Sequence, residues 1–143
     1  MIRGCPLARS SGVWALDELP VILVVEDEEL IQDFVKDALT DGGFDYVAIA
    51  SGAEALTLLK SGVVKYRALV TDVNLEGGMC GWDVARHVRE IDPSFPVVYI
   101  TGAAADQWVS HGVPKSILLQ KPFAAAQLVT AISQLLNTGN PTA

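Results

Sequence analysis

Five short apolar runs alternate along the chain with stretches of helical periodicity, and four of them run out into polar or charged residues. The first, 20–25, reads Pro-Val-Ile-Leu-Val-Val. It is β-branched and unbroken by polar residues, which predicts a strand buried on both faces. Residues 27–40 carry Leu30, Ile31, Phe34, Val35, Ala38 and Leu39 at helical spacing, and Gly42-Gly43 ends that helix. A second strand is predicted over 46–49. Ser51, with Glu54 three residues on, has the form of a capping box for a helix running through Leu59 to Gly62. The third strand, 68–71, ends at Asp72, and the loop 74–81 after it holds three glycines. A helix over 82–91 turns Val84, Ala85 and Val88 inward and is broken by Pro93 and Pro96. The fourth strand, 97–100, ends at Thr101. Residues 103–110 are a weak helix cut short by Gly112 and Pro114. The fifth strand, 116–119, leads to Lys121-Pro122. The last helix, 124–136, has Leu128, Val129, Ile132, Leu135 and Leu136 on one side.

Strands alternating with helices predict an α/β fold with parallel strands and helices on both faces. The expected class is a flavodoxin-like (βα)5, a doubly wound five-stranded parallel sheet. Right-handed crossovers point all the strand ends the same way. The expected organisation is a flexible extension over 1–19, one domain over 20–137 and a tail over 138–143.

Composition narrows the function classes. A chain of 143 residues, half of them apolar, suits one compact domain with a real core. A net charge of −7 argues against direct nucleic-acid binding, which relies on clustered Lys and Arg. Cys5 and Cys80 are far apart and have no zinc-ligand spacing, so a reduced, cytoplasmic setting is expected. No apolar run approaches the roughly 20 residues that span a bilayer, so no membrane insertion is expected. Residues 1–19 include Arg3 and Arg9 without the continuous apolar stretch of a secretory leader. Val13, Trp14 and Leu16 are its candidates for docking on the domain.

The residues just past each strand carry the chemistry: Glu26 and Asp27 after the first, Asp72 after the third, Thr101 after the fourth and Lys121 after the fifth. Ligands of open parallel sheets bind outside the carboxyl ends of the strands. Three carboxylates gathered there repel one another unless a cation joins them, and hard oxygen ligands suit Mg²⁺. A carboxylate can also act as a nucleophile on phosphorus, and phosphoryl transfer needs mainly positioning and charge neutralisation.

The segments Val-Val-Glu-Asp-Glu, Val-Thr-Asp-Val-Asn, Tyr-Ile-Thr-Gly and Gln-Lys-Pro-Phe together resemble the receiver domain of two-component signalling. The resemblance covers roughly residues 20–137. It implies that Asp72 is the phosphoacceptor, receiving its phosphoryl group from a sensor histidine kinase or a histidine phosphotransfer protein. It further implies Mg²⁺ held by Asp27 and Asp72, by Glu26 through water, and by the backbone carbonyl of Asn74. Lys121 would pair with Asp72 and then with the phosphoryl group, and Thr101 would hydrogen-bond that group. Pro122 would follow a cis peptide bond. The chain is then expected to be a phosphoacceptor signalling domain rather than an enzyme. Lacking an output domain, it would act on an unknown downstream protein or as a phosphate sink.

The family often has an aromatic switch residue three positions before the lysine, where this chain has Leu118. With the altered Glu76–Cys80 loop, this motivates a second reading, a pseudo-receiver that only binds partners. A third, an aspartate-dependent phosphatase, usually needs a second acid two residues after the nucleophile. Asn74 stands there instead.

Overall fold

The computed structural model describes residues 19–138. Apart from Leu19, the expected extension lies outside the described residues, as do 139–143 of the expected tail. The element order is β1 (Val21–Val25), α1 (Glu29–Asp41), β2 (Asp45–Ile49), α2 (Gly52–Ser61), β3 (Tyr66–Asp72), α3 (Gly81–Ile91), β4 (Val97–Thr101), a 3-10 turn (Ala105–Gln107), α4 (Trp108–His111), β5 (Ile117–Gln120) and α5 (Ala125–Thr138). The five strands form one sheet in the order β2-β1-β3-β4-β5, and every pairing is parallel. This is the flavodoxin-like (βα)5 arrangement expected from the alternation of elements.

β1 shows why the apolar run has no polar interruptions. Ile22, Leu23, Val24 and Val25 are all fully buried, and their side chains alternate between two cores. Leu23 and Val25 join Val84, Ala85 and Val88 of α3 on one face. Ile22 and Val24 join Val35 and Leu39 of α1 and Leu128 and Ile132 of α5 on the other. Burying each such side chain contributes about 1.5–3 kcal/mol.

Helix α1 begins two residues later than its periodicity suggests, after Glu28, which makes no side-chain cap. The Glu26 carboxylate accepts the Glu28 N–H at 3.0 Å, and that of Asp27 accepts the Glu76 N–H at 2.9 Å. Glu26 therefore holds the amide just ahead of the helix, and Asp27 holds one from the loop after β3. Leu30, counted on the inner face by spacing, is instead 76% exposed. It sits in the first turn, beyond the reach of the core. Helix α2 starts as expected, with Ser51 Oγ accepting the Glu54 N–H at 3.1 Å, and ends at Gly62 in a left-handed conformation (φ 68°).

The weak segment after β4 resolves into a 3-10 turn and a single turn of α-helix. Trp108 anchors it, donating its indole N–H to Ser116 Oγ at 2.9 Å. Trp82 is a core residue, edge-on to the buried Tyr99 with ring centroids 4.6 Å apart. Among the described residues, no helix is long and apolar enough to cross a membrane.

Candidate functional site

The parallel register brings the ends of β1, β3, β4 and β5 to one edge of the sheet. Each end contributes a different group. β1 runs out into Glu26 and Asp27, and β3 closes on Asp72. Glu26 is 1% exposed, although a carboxylate is among the side chains least often buried. Its position is held from the backbone. Glu26 N–H donates to Ile49 O at 3.0 Å, and Gln32 Nε2 donates to Glu26 O at 2.9 Å. One carboxylate oxygen, Oε2, takes the Glu28 N–H. The other, Oε1, is buried without a hydrogen-bond partner.

Lys121 enters from the end of β5, where its N–H donates to Thr101 O at 2.8 Å. The peptide that follows, Lys121–Pro122, is cis. Its ammonium lies 3.5 Å from Asp72 Oδ1 and 3.7 Å from Glu26 Oε1, serving two buried carboxylates at once. Carboxylate oxygens of Glu26, Asp27 and Asp72 lie within 4.8 Å of one another. One lysine cannot neutralise three such acids. Burial, with Asp72 and Asp27 nearby, pushes the Glu26 carboxyl up to about 7, against the opposing pull of the Glu28 amide and Lys121. Burial likewise raises the Asp72 carboxyl, opposed by Lys121 and by the Asn74 N–H, with Asp27 adding to the rise.

An orphaned, buried carboxylate oxygen in a cluster of three acids is a donor set that a hard divalent cation completes. The chemistry of the cluster therefore fits Mg²⁺. Asn74 acts on this cluster through its N–H, which opposes the rise of the Asp72 carboxyl.

Thr101 is fully buried at the end of β4. Its Oγ1 accepts the N–H of Ala103 at 3.2 Å and of Ala104 at 2.8 Å. The hydroxyl thus caps the loop between β4 and the 3-10 turn. Leu118 lies opposite Tyr99 in the β4–β5 register and packs, half-buried, into the core on the α3 face. Gly81 admits the close passage of α3 behind the site, because an added Cβ would strike the Asp72 carbonyl and the Val73 Cα.

Sequence reasoning picked out the charged and hydroxyl groups and missed what holds them. Gln32 is six residues past Glu26, and a polar residue there, one turn into α1, was the available signal. The backbone amides of Glu28, Glu76, Ala103 and Ala104 leave no trace in residue types.

Comparison with known proteins gives a consistent result. The family pattern described as the response regulator receiver domain matches residues 22–133. A solved structure, of a response regulator receiver protein from Sinorhizobium medicae WSM419, is 48% identical. It superposes with a TM-score of 0.78, covering 87% of this chain and 98% of that one. The response regulator receiver protein CpdR of Brucella abortus (strain 2308) is 32% identical over 117 residues, which are 80% of this chain and 95% of CpdR. The transcriptional regulatory protein CusR of Escherichia coli (strain K12) is 28% identical over 120 residues, 82% of this chain and 52% of CusR. The chain thus spans about half the length of that regulator.

Proposed function

This chain belongs to the response-regulator receiver family, and we propose that it accepts a phosphoryl group on Asp72 with Mg²⁺ and passes the signal on to a partner protein. Receiver domains are phosphotransfer modules, and the residues at this sheet edge carry the groups such a transfer uses. The observation that best supports the reading is the Lys121 ammonium 3.5 Å from Asp72 Oδ1, beside the cluster of Glu26, Asp27 and Asp72.

The donor is a phosphohistidine, on a sensor histidine kinase or a histidine phosphotransfer protein. An Asp72 carboxylate oxygen attacks phosphorus, and the bond from phosphorus to the imidazole nitrogen breaks. The electron pair stays with the imidazole, and the product on this chain is an acyl phosphate. Glu26, Asp27 and Asp72 would hold Mg²⁺, with the Asn74 carbonyl as the further ligand that the family resemblance implies. When bound, the ion supplies positive charge that offsets the acids and the phosphoryl oxygens. Lys121 moves from the carboxylate to a phosphoryl oxygen. Thr101 releases the Ala103 and Ala104 amides and turns its O–H toward the same group. That exchange lets the loop 102–107 change shape with phosphorylation. Output then passes through a partner that reads this loop and its neighbours, or the domain drains phosphate from a kinase.

Incubation with acetyl phosphate and Mg²⁺, followed by intact mass measurement, tests the reading. One phosphoryl increment is expected on the native chain and none on Asp72→Asn. A native chain that gains no increment from acetyl phosphate or from a phosphorylated histidine kinase would overturn it.

A further inference from the structure

Glu26 stands one residue past the last paired position of β1, Val25 with Ile49 of β2. Its N–H donates to Ile49 O at 3.0 Å, adding one more rung between the two strands. Beyond that rung the chain leaves the sheet, and helix α1 begins at Glu29 without a side-chain cap from Glu28. Gln32 joins this helix to both strand ends. Its backbone N–H donates to Glu28 O at 2.9 Å, closing the first turn. Its side-chain Nε2 donates to Glu26 O at 2.9 Å and, more weakly, to Ile49 O at 3.4 Å. A glutamine amide nitrogen carries two protons, so it can serve two carbonyls at once. Both neighbours are acceptors, which sets the nitrogen rather than the oxygen of the amide toward them. Glu26 O belongs to the planar peptide that links Glu26 to Asp27. Holding that oxygen fixes the plane from which both acids depart.

We propose that Gln32 is a positioning residue for the cation site, holding the Glu26–Asp27 peptide so that both acids stay gathered with Asp72 before an ion arrives. This role rests on Mg²⁺ being held by the cluster, and it names the side chain that prepares the cluster for the ion. Without an ion the three carboxylates, with oxygens within 4.8 Å of one another, repel. The segment 26–28 lies outside the strand ladder and the helix, so it is where that repulsion is most easily relieved. Two other bonds restrain it, from the Glu28 N–H to Glu26 Oε2 and from the Glu76 N–H to Asp27 Oδ2. Both use carboxylate oxygens, which an ion can claim. Gln32 bonds only main-chain oxygens, so its hold does not compete with the ion. A group that orients a metal ligand without touching the metal commonly governs affinity by tenfold or more.

Mg²⁺ titration of the metal-free full chain, followed by the NMR shifts of the Asp72 and Asn74 amides, tests the role. Gln32→Met keeps the length of the side chain and removes both donors, and it should weaken Mg²⁺ binding about tenfold. Gln32→Asn keeps an amide one methylene too short for both carbonyls and should weaken binding in the same direction, which carries the test if the methionine variant does not fold. Val35→Ala thins the packing of α1 on the sheet but leaves the Gln32 amide in place, so it should cost stability and not Mg²⁺ affinity. In the absence of metal, hydrogen exchange at the Glu26 and Glu28 amides should accelerate more in Gln32→Met than in Val35→Ala. Phosphorylation by acetyl phosphate should need more Mg²⁺ to reach half its maximal rate in Gln32→Met and still reach the native plateau. Folded Gln32 variants that bind Mg²⁺ as tightly as the native chain, or an equal loss of affinity in Val35→Ala, would overturn the role and leave Mg²⁺ at the cluster. A native chain whose amides do not respond to Mg²⁺ would overturn the reading of the cluster and this role with it.

Discussion

Lys121 Nζ stands 3.5 Å from Asp72 Oδ1, an ion pair that ties the end of β5 to the end of β3 across β4. The same ammonium is 3.7 Å from Glu26 Oε1. Lys121→Met leaves two buried carboxylates without their cation, and removing one partner of a buried pair costs more than the pair contributes. We expect a loss of about 2 kcal/mol at neutral pH without Mg²⁺, measured by urea denaturation. An unchanged midpoint would show that the ammonium is not offsetting the buried acids.

The raised carboxyls predict an unusual pH dependence. Glu26 is pushed up to about 7, and Asp72 is raised as well. A carboxyl that keeps its proton longer folded than unfolded contributes most stability below its unfolded pKa. That contribution declines as pH rises through the folded value. The metal-free protein should therefore lose stability from about pH 4.5 to about pH 7, by a few kcal/mol at most. Mg²⁺ should raise the melting temperature most above pH 7, where the acids are ionised, and Glu26→Gln should flatten the metal-free profile. Thermal melts across that range in EDTA and in Mg²⁺ measure both, and stability rising through the window would contradict the assignment.

Thr101 has its own signature. Its hydroxyl accepts two amides at 3.2 and 2.8 Å in a fully buried position. Thr101→Val keeps the shape and removes the acceptor, so it should cost about 1–2 kcal/mol, while Thr101→Ser should cost less. Hydrogen exchange should accelerate at Ala103 and Ala104 in the valine variant and not at Ala55 in α2.

Gly81 supports the acceptor from behind. A methyl group there meets the Asp72 carbonyl and the Val73 backbone, neither of which is free to swing away. Gly81→Ala should destabilise the domain by about 3 kcal/mol and slow phosphorylation by acetyl phosphate. Gly77→Ala, on the open loop where an added Cβ meets nothing but φ is 94°, should cost about 1 kcal/mol and leave the Asp72 backbone in place.

Much of the fold was legible because two of its signals are local. An uninterrupted β-branched run and a helical repeat are set by which faces are buried, and those faces recur every two or every 3.6 residues. Exposure at the helix ends was less legible. Leu30 has the right spacing for the core and still faces solvent, in the first turn of a helix that starts only at Glu29. The site was legible as residue types at strand ends. Its geometry was not, because Glu28, Glu76, Ala103 and Ala104 contribute N–H groups that every residue but proline possesses.

The sequence by itself determined the strand–helix alternation, the parallel class and the set Glu26, Asp27, Asp72, Thr101 and Lys121 at the strand ends. Periodicity and chain direction carry that information without any knowledge of neighbours. Only the tertiary structure decided that Lys121 spans Asp72 and Glu26, that Glu26 Oε1 is left without a hydrogen-bond partner, and that Thr101 caps its own loop. Those relationships depend on which strands are neighbours and on how deeply each group is buried. Both are set by long-range packing in the order β2-β1-β3-β4-β5.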